Sequence, residues 1–129
     1  MPSESARDSD IVLVGAARTP FARFGGSLAP LPIPQLARQA IVAALARSGV
    51  EPTAVDEVAL GVNLPGSDRS LARQALLHAG IPTDRVAYTV DRACCSSLSA
   101  ITLASRSLRL GEQIGRLATA ATDTAAKPR

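Results

Sequence analysis

Short apolar runs that alternate with helical patterns constrain this chain more than any other feature. Ile11, Val12, Leu13 and Val14, closed by Gly15, make the first run, and Val58, Ala59, Leu60, Gly61 and Val62 make the second. The third is Val86, Ala87, Tyr88, Thr89 and Val90. A continuous apolar run ending at a turn residue is what a strand covered on both faces looks like. Between the first two runs, Ile33, Leu36, Ala37, Ala40, Ile41, Ala44 and Leu45 share one helical face, with Pro34 near the start and Gly49 just past the end. A shorter helix is expected from about Ser70 to Ala79, its stripe made by Leu71, Ala72, Ala75, Leu76 and Ala79. Strand and helix alternating at ~25–40-residue intervals predict an α/β fold with a mainly parallel sheet and right-handed crossovers.

The third run leads into the most informative stretch. After Val90 come Asp91, Arg92, Ala93, Cys94, Cys95, Ser96 and Ser97, which read as a tight turn and then a helix opening on a cysteine. A cysteine in the first helical turn meets unpaired backbone N–H groups and the positive end of the helix dipole. Both favour thiolate, the reactive species, and the same N–H groups can hold negative charge growing on a carbonyl oxygen. Cys94 is the candidate nucleophile; Cys95 lies about 100° further round the helix. The plainer reading is that an adjacent cysteine pair in an apolar helix is small core filler. These residues alone leave both readings open. Adjacent cysteines lack metal-ligand spacing, and His78 is the only histidine, so no metal site is expected. A stable structural disulfide between neighbours is strained and not expected either.

The helix after Cys94 carries Leu98, Ala100, Ile101, Leu103, Ala104, Leu108 and Leu110 on nearly every side and stops at Gly111. A helix apolar all round is a buried helix. Its other side calls for a second sheet, which this chain does not supply. The final stretch, Ile114 to Thr122, stands where the next strand should be but is weak for it, with Arg116 inside and alanines in place of β-branched residues.

Composition removes several function classes. The 129 residues are 47% hydrophobic, enough for one domain with a real core, expected over residues 11–129 behind a polar, disordered lead-in of residues 1–10. Aromatics are limited to Phe21, Phe24 and Tyr88, so the core must rely on close approach of its elements. Two of the three sit in the loop between Gly15 and the first helix, which is expected to fold back against something. The net charge of +3 comes from scattered arginines without aromatic interleaving, a poor nucleic-acid signal. No run approaches the ~18 apolar residues of a membrane span. With no signal-peptide core at the amino terminus, the expected location is the reducing cytoplasm, where free cysteines persist. His78 falls off the apolar stripe of its helix and is expected to be exposed rather than a base for Cys94.

Three stretches taken together carry a resemblance. They are the loop from Ala17-Arg18-Thr19-Pro20-Phe21 to Phe24-Gly25-Gly26-Ser27-Leu28, the Ala72-Arg73-Gln74-Ala75 helix with Gly80-Ile81-Pro82, and the elbow at Cys94. In order and spacing the chain resembles the amino-terminal part of the thiolase family, the acetyl-CoA acetyltransferases and 3-ketoacyl-CoA thiolases. The resemblance implies the amino-terminal half of a thiolase-like fold. It also implies an acyltransferase activity in which Cys94 takes the acyl group as a thioester. Acetyl-CoA or a 3-ketoacyl-CoA would be the substrate and coenzyme A the co-substrate, with no permanently bound cofactor. A homo-oligomer, or a partner chain supplying the remaining half, is implied as well.

Departures go with it. Thiolases usually carry Asn, Ser or Thr where this chain has Asp91, a small non-thiol residue where it has Cys95, and a glycine pair absent from Ala118 to Thr122. The family's CoA-contacting loop domain, Asn-Glu-Ala-Phe stretch, Gly-His-Pro histidine and Cys-x-Gly acid/base cysteine have no counterpart here. The elbow alone is also similar to that of the β-ketoacyl synthases, condensing enzymes in which aspartate is usual at the Asp91 position. The Arg-Thr-Pro loop favours the thiolases. A non-catalytic product or an accessory subunit remains the competing reading from a different class.

Overall fold

A computed structural model describes residues 11–111 and the backbone of residues 117–123. The expected lead-in, residues 1–10, lies outside the described residues. The elements run α1 (Ile33–Ser48), β1 (Glu57–Asn63), α2 (Leu71–His78), β2 (Val86–Val90), α3 (Ser96–Leu110) and β3 (Leu117–Asp123), with a single 3-10 turn at Pro52–Ala54. The three strands form a parallel sheet in the order β2-β1-β3. The expected α/β architecture with a parallel sheet is therefore what the chain adopts.

β1 is the centre because it is paired on both edges and buried on both faces. Val58, Leu60 and Val62 point to one side, where they meet Ala37, Ile41 and Leu45 of α1 and Leu71, Ala72, Ala75 and Leu76 of α2. Ala59 points to the other side, toward Val90 and toward Ala100 and Ala104 of α3, with Tyr88 packed alongside. That two-sided burial explains why β1 reads as an unbroken apolar run instead of an alternating one. α1 starts over Pro32 and Pro34 and ends at Gly49, whose φ of 67° is left-handed. Every residue of the expected α2 stripe is buried, and His78 is exposed.

Arginines tie the connections down. Arg73, on α2, donates from Nη1 to the Arg85 carbonyl at 2.8 Å and from Nη2 to the Thr83 carbonyl, which fixes the loop entering β2. Arg85 in turn pairs with Asp56 at 3.1 Å, just ahead of β1. No helix among the described residues is long and apolar enough to cross a membrane.

The structure corrects three expectations and bears out a fourth whose signal is weak. Residues 11–15 form no strand; Leu13 is 91% exposed, and the segment is held to α1 by Arg47 Nη1 on the Ala16 carbonyl at 2.8 Å. A strand needs a neighbour as well as apolar side chains, and both edges of β1 are occupied by β2 and β3. Conversely, the weak final stretch does form β3, paired with β1 from Glu57↔Leu117 through Asn63↔Asp123. A full backbone ladder outweighs poor strand propensity. Phe21 does not fold back into the molecule: it is 90% exposed, with the Arg18 guanidinium 4.6 Å from its ring centroid. Finally, α3 starts at Ser96 rather than Cys94 and is covered on one side only. Ser96, Ala100 and Ala104 are buried, while Leu98, Ile101, Leu103 and Leu110 face outward.

Candidate active site

The elbow is built by a hydroxyl, a carboxylate and a missing side chain. Ser96 is only 3% exposed. Its Oγ accepts the Arg92 N–H at 2.8 Å and donates to the Ala93 carbonyl at 2.7 Å, so one buried hydroxyl closes the turn from both sides. Asp91 Oδ1 accepts the Ala93 N–H at 3.0 Å. Asn, Ser and Thr can make the same local bond, so Asp91 fits a position where thiolases usually carry those residues. Held this way, Ala93 takes a φ of 51°. Left-handed backbone costs a residue with a Cβ roughly 1–2 kcal/mol, and the three side-chain bonds across the turn offset it. The Cys95 and Ser96 N–H groups complete the turn on the Arg92 and Ala93 carbonyls, both at 3.1 Å.

Gly61 sets how close this turn comes to the sheet. A Cβ placed there would lie 2.6 Å from the backbone Cα and N of Ser97. The start of α3 therefore rests directly on the β1 backbone, which a side chain would prevent. Cys94 follows the carboxyl end of β2 and precedes α3, and both Cys94 and Cys95 are free and exposed. Ligands of open parallel sheets bind at that end of the strands. The core-filler reading of the cysteines fails on their exposure. The expected placement of Cys94 inside the first helical turn is also corrected. Cys95 occupies the N-cap position, and Cys94 stands one residue before it, at the mouth of the helix. Among the described residues no side chain caps α3.

His78 is not brought to Cys94. It ends α2, on the opposite face of the sheet, and its carbonyl accepts Arg38 Nε at 2.9 Å. It stands before β2 in space as in sequence, whereas Cys94 follows the strand's end. No group of three or more potential metal ligands occurs among the described residues.

A buried glutamate and a half-buried tyrosine form a polar pair beneath α3. Glu57 is 4% exposed and accepts a hydrogen bond from the Tyr88 hydroxyl, while its Oε1 has no hydrogen-bond partner among the described residues. Burial first, then the bond to Glu57 and its charge, push the Tyr88 phenol above its usual range.

Local sequence reading missed Ser96, Gly61 and Thr89. Thr89 Oγ1 accepts the Ala72 N–H at 3.1 Å and so serves as a remote cap for α2. A glycine in mid-strand signals a close backbone approach and could have flagged Gly61. Nothing local marks Thr89, whose partner Ala72 lies 17 residues away on α2.

Residues 11–119 match the family described as Thiolase, N-terminal domain. This chain belongs to the thiolase family. An acetyl-CoA acetyltransferase from Cupriavidus necator is 45% identical over 105 residues, covering 81% of this chain and 27% of that protein. Acetyl-CoA acetyltransferase 2 of Arabidopsis thaliana is 44% identical over 110 residues, 84% of this chain and 27% of that one. Among solved structures, an acetyl-CoA acetyltransferase from Syntrophomonas wolfei superposes with a TM-score of 0.74 at 32% identity, over 79% of this chain and 26% of its own. A thiolase from Ascaris suum, solved in complex with coenzyme A, gives 0.75 at 28% identity, over 78% and 26%. This thiolase chain thus spans about a quarter of the length of the relatives it matches (27% of each of the two acetyltransferases above). The choice between thiolase and β-ketoacyl synthase, open at the elbow alone, falls to thiolase for the chain as a whole.

Proposed function

We propose that this thiolase domain carries the acyl-accepting step of an acetyl-CoA or 3-ketoacyl-CoA acyltransferase, with Cys94 as the nucleophile. The observation that carries the reading is an exposed thiol at the carboxyl end of a parallel strand, beside an uncapped helix and on a turn stapled by the buried Ser96. With acetyl-CoA, the Cys94 thiolate adds to the carbonyl carbon of the thioester. With a 3-ketoacyl-CoA it would add to the 3-keto carbon, and the C2–C3 bond would break to release acetyl-CoA. Negative charge gathers on the oxygen, where first-turn N–H groups of α3 can bind it. In the acetyl-CoA case, collapse breaks the bond to the coenzyme A sulfur, which leaves as thiolate, and the acyl group stays on Cys94. Coenzyme A acts here as substrate and leaving group, without a resident cofactor, and a reducing cytoplasmic setting keeps the thiol available.

The test is incubation of the chain with acetyl-CoA, followed by intact mass and mapping of the tryptic peptide spanning residues 93–106, which holds both cysteines. Wild type and Cys95→Ala should gain one acetyl group, and Cys94→Ala none. Acetylation that follows Cys95, or no adduct at all, removes Cys94 from the role.

A second reading has its own observation: the single histidine lies at the far end of β2 on the other sheet face. Turnover needs a base for the attacking coenzyme A thiol or the carbon acid. On this reading the domain acts as an accessory or non-catalytic unit until a partner supplies that group. The outward face of α3, with Leu98, Ile101, Leu103 and Leu110, is where a second copy or a partner chain would sit. Acetoacetyl-CoA cleavage by the chain alone should stay at background; a rate abolished by Cys94→Ala would overturn this dependence.

A further inference from the structure

The elbow presents two thiols side by side, and the acylation chemistry uses one. Cys94 and Cys95 are adjacent, free and exposed, with Cys95 at the N-cap of α3 and Cys94 one residue before it. Inside a helix, neighbouring side chains are held about 100° apart. Cys94 lies outside the helix, so its side chain is not held to that helical angle. Cys95 is tied by its N–H to the Arg92 carbonyl and by its own carbonyl to the Ser99 N–H, whereas the staple that closes the turn runs through Ser96 Oγ. Among the described residues neither thiol takes part in holding the elbow, so a bond between them would leave the Ser96 staple in place.

A bond between adjacent cysteines is strained, since their Cα atoms are ~3.8 Å apart and ordinary disulfides span ~4.4–6.8 Å. That strain argues against a permanent link and in favour of a reversible one: strained, exposed disulfides are the readily reduced ones. We infer that Cys94 and Cys95 form a nucleophile–resolver pair in which a peroxide oxidises Cys94 and Cys95 captures it as a vicinal disulfide.

The Cys94 thiolate attacks one oxygen of hydrogen peroxide or an organic hydroperoxide. The O–O bond breaks and hydroxide or alkoxide departs. Cys94 becomes a sulfenic acid, its sulfur oxidised by two electrons and the peroxide reduced by two. The Cys95 thiolate then attacks the Cys94 sulfur, the S–O bond breaks, and hydroxide leaves to be protonated to water. Two equivalents of a small thiol return both cysteines to the reduced state. Without the resolver, the sulfenic acid meets further peroxide and passes to sulfinic acid, which thiols do not reverse. The pairing itself is independent of catalysis. Its consequence, reversible loss of the acyl acceptor, rests on the reading of Cys94 given above.

The experiment treats the whole chain with hydrogen peroxide, removes the excess with catalase, blocks free thiols with N-ethylmaleimide and maps the 93–106 peptide. The wild-type peptide should be lighter by two hydrogens and unblocked, and should take two maleimides after dithiothreitol. In Cys95→Ser, Cys94 should instead trap dimedone. At higher peroxide its recoverable thiol should fall several-fold below wild type. Sulfinic acid accumulating equally fast in both proteins, or disulfides joining two chains on a non-reducing gel, would overturn the pairing. Acetyl labelling of the untreated chain separates the two proposals. Acetylation without a vicinal disulfide sinks only the resolver, and a vicinal disulfide without acetylation sinks only the acyl acceptor.

Discussion

The two faces of the sheet are packed by opposite means. Under α1 and α2, large side chains meet: Val58, Leu60, Val62, Leu71 and Leu76 are all fully buried. Under α3 the contact is made by Ala59, Gly61, Ala100 and Ala104, and the backbones come close enough that a single Cβ at position 61 would collide. The first face holds most of the apolar area, at ~1.5–3 kcal/mol for each buried Leu or Val side chain, and so carries stability. The second buries less but fixes distance, because backbone resting on backbone leaves little slack. Cys94 is attached to that second face. One side of the sheet keeps the domain folded and the other sets where the thiol stands.

Breaking the large-residue face should have the largest effect. Leu60→Ala removes a fully buried side chain from between β1 and the α1–α2 layer and should cost ~2–5 kcal/mol, read as a fall in the urea midpoint. Thiol alkylation per folded molecule should stay near wild type. A matching loss of Cys94 reactivity would mean that the two faces are not separable.

Gly61→Ala is the converse. Its new Cβ meets the Ser97 backbone at 2.6 Å, which has no side-chain freedom to yield. Overpacking of this kind costs ~1–3 kcal/mol, less than the leucine change, yet Cys94 acetylation should slow far more than in Leu60→Ala. An unchanged acetylation rate in the folded variant would show that the α3 contact does not position the elbow.

The α3 face also holds the Glu57–Tyr88 pair, which gives it a pH dependence. The Tyr88 phenol is raised by burial and by Glu57, so the folded state keeps its proton at pH values where the unfolded chain loses it. Stability from this group is fully present below the ordinary phenol pKa of ~10 and declines as pH rises above it. The chain has one tyrosine and no tryptophan, so phenolate absorbance reports this group directly. Ionisation should be delayed beyond the ordinary range and coincide with unfolding. A folded chain titrating near the ordinary value would remove the pair from the account.

The smallest effect is expected on the outside of α3. Leu98 is 67% exposed, so Leu98→Gln should change monomer stability by no more than about 0.5 kcal/mol. It should, however, reduce self-association or hydrophobic-dye binding, measured by light scattering and fluorescence. A large stability loss in a strictly monomeric sample would mean that this surface is already covered.

Local pattern made much of the molecule legible. α1, α2, β1 and β2 fall where periodicity, Pro34 and Gly49 put them, and the cysteine elbow follows β2 as its β-branched run implies. The misreadings share one cause. Residues 11–15 are a better strand on composition than Leu117–Asp123, yet the latter pairs with β1. A propensity describes one segment, while a strand is a contract between two. The start of α3 slipped by two residues for a similar reason, since Ser96 bonds back to Arg92 and Ala93 and takes the turn out of the helix.

What the linear order of residues settled is the alternation of strand and helix, the apolar face of each element, and a cysteine pair at the end of β2. Each of these is written in spacings of a few residues, where backbone geometry leaves little choice. Contacts across the fold decided the rest: which segment takes the free edge of β1, which side of α3 is covered, how near Ser97 comes to Gly61, and that His78 and Cys94 end up apart. A hydrophobic period marks a face for burial but does not name the surface that buries it. That is settled by competition among segments dozens of residues apart, and only the packed molecule records the winner.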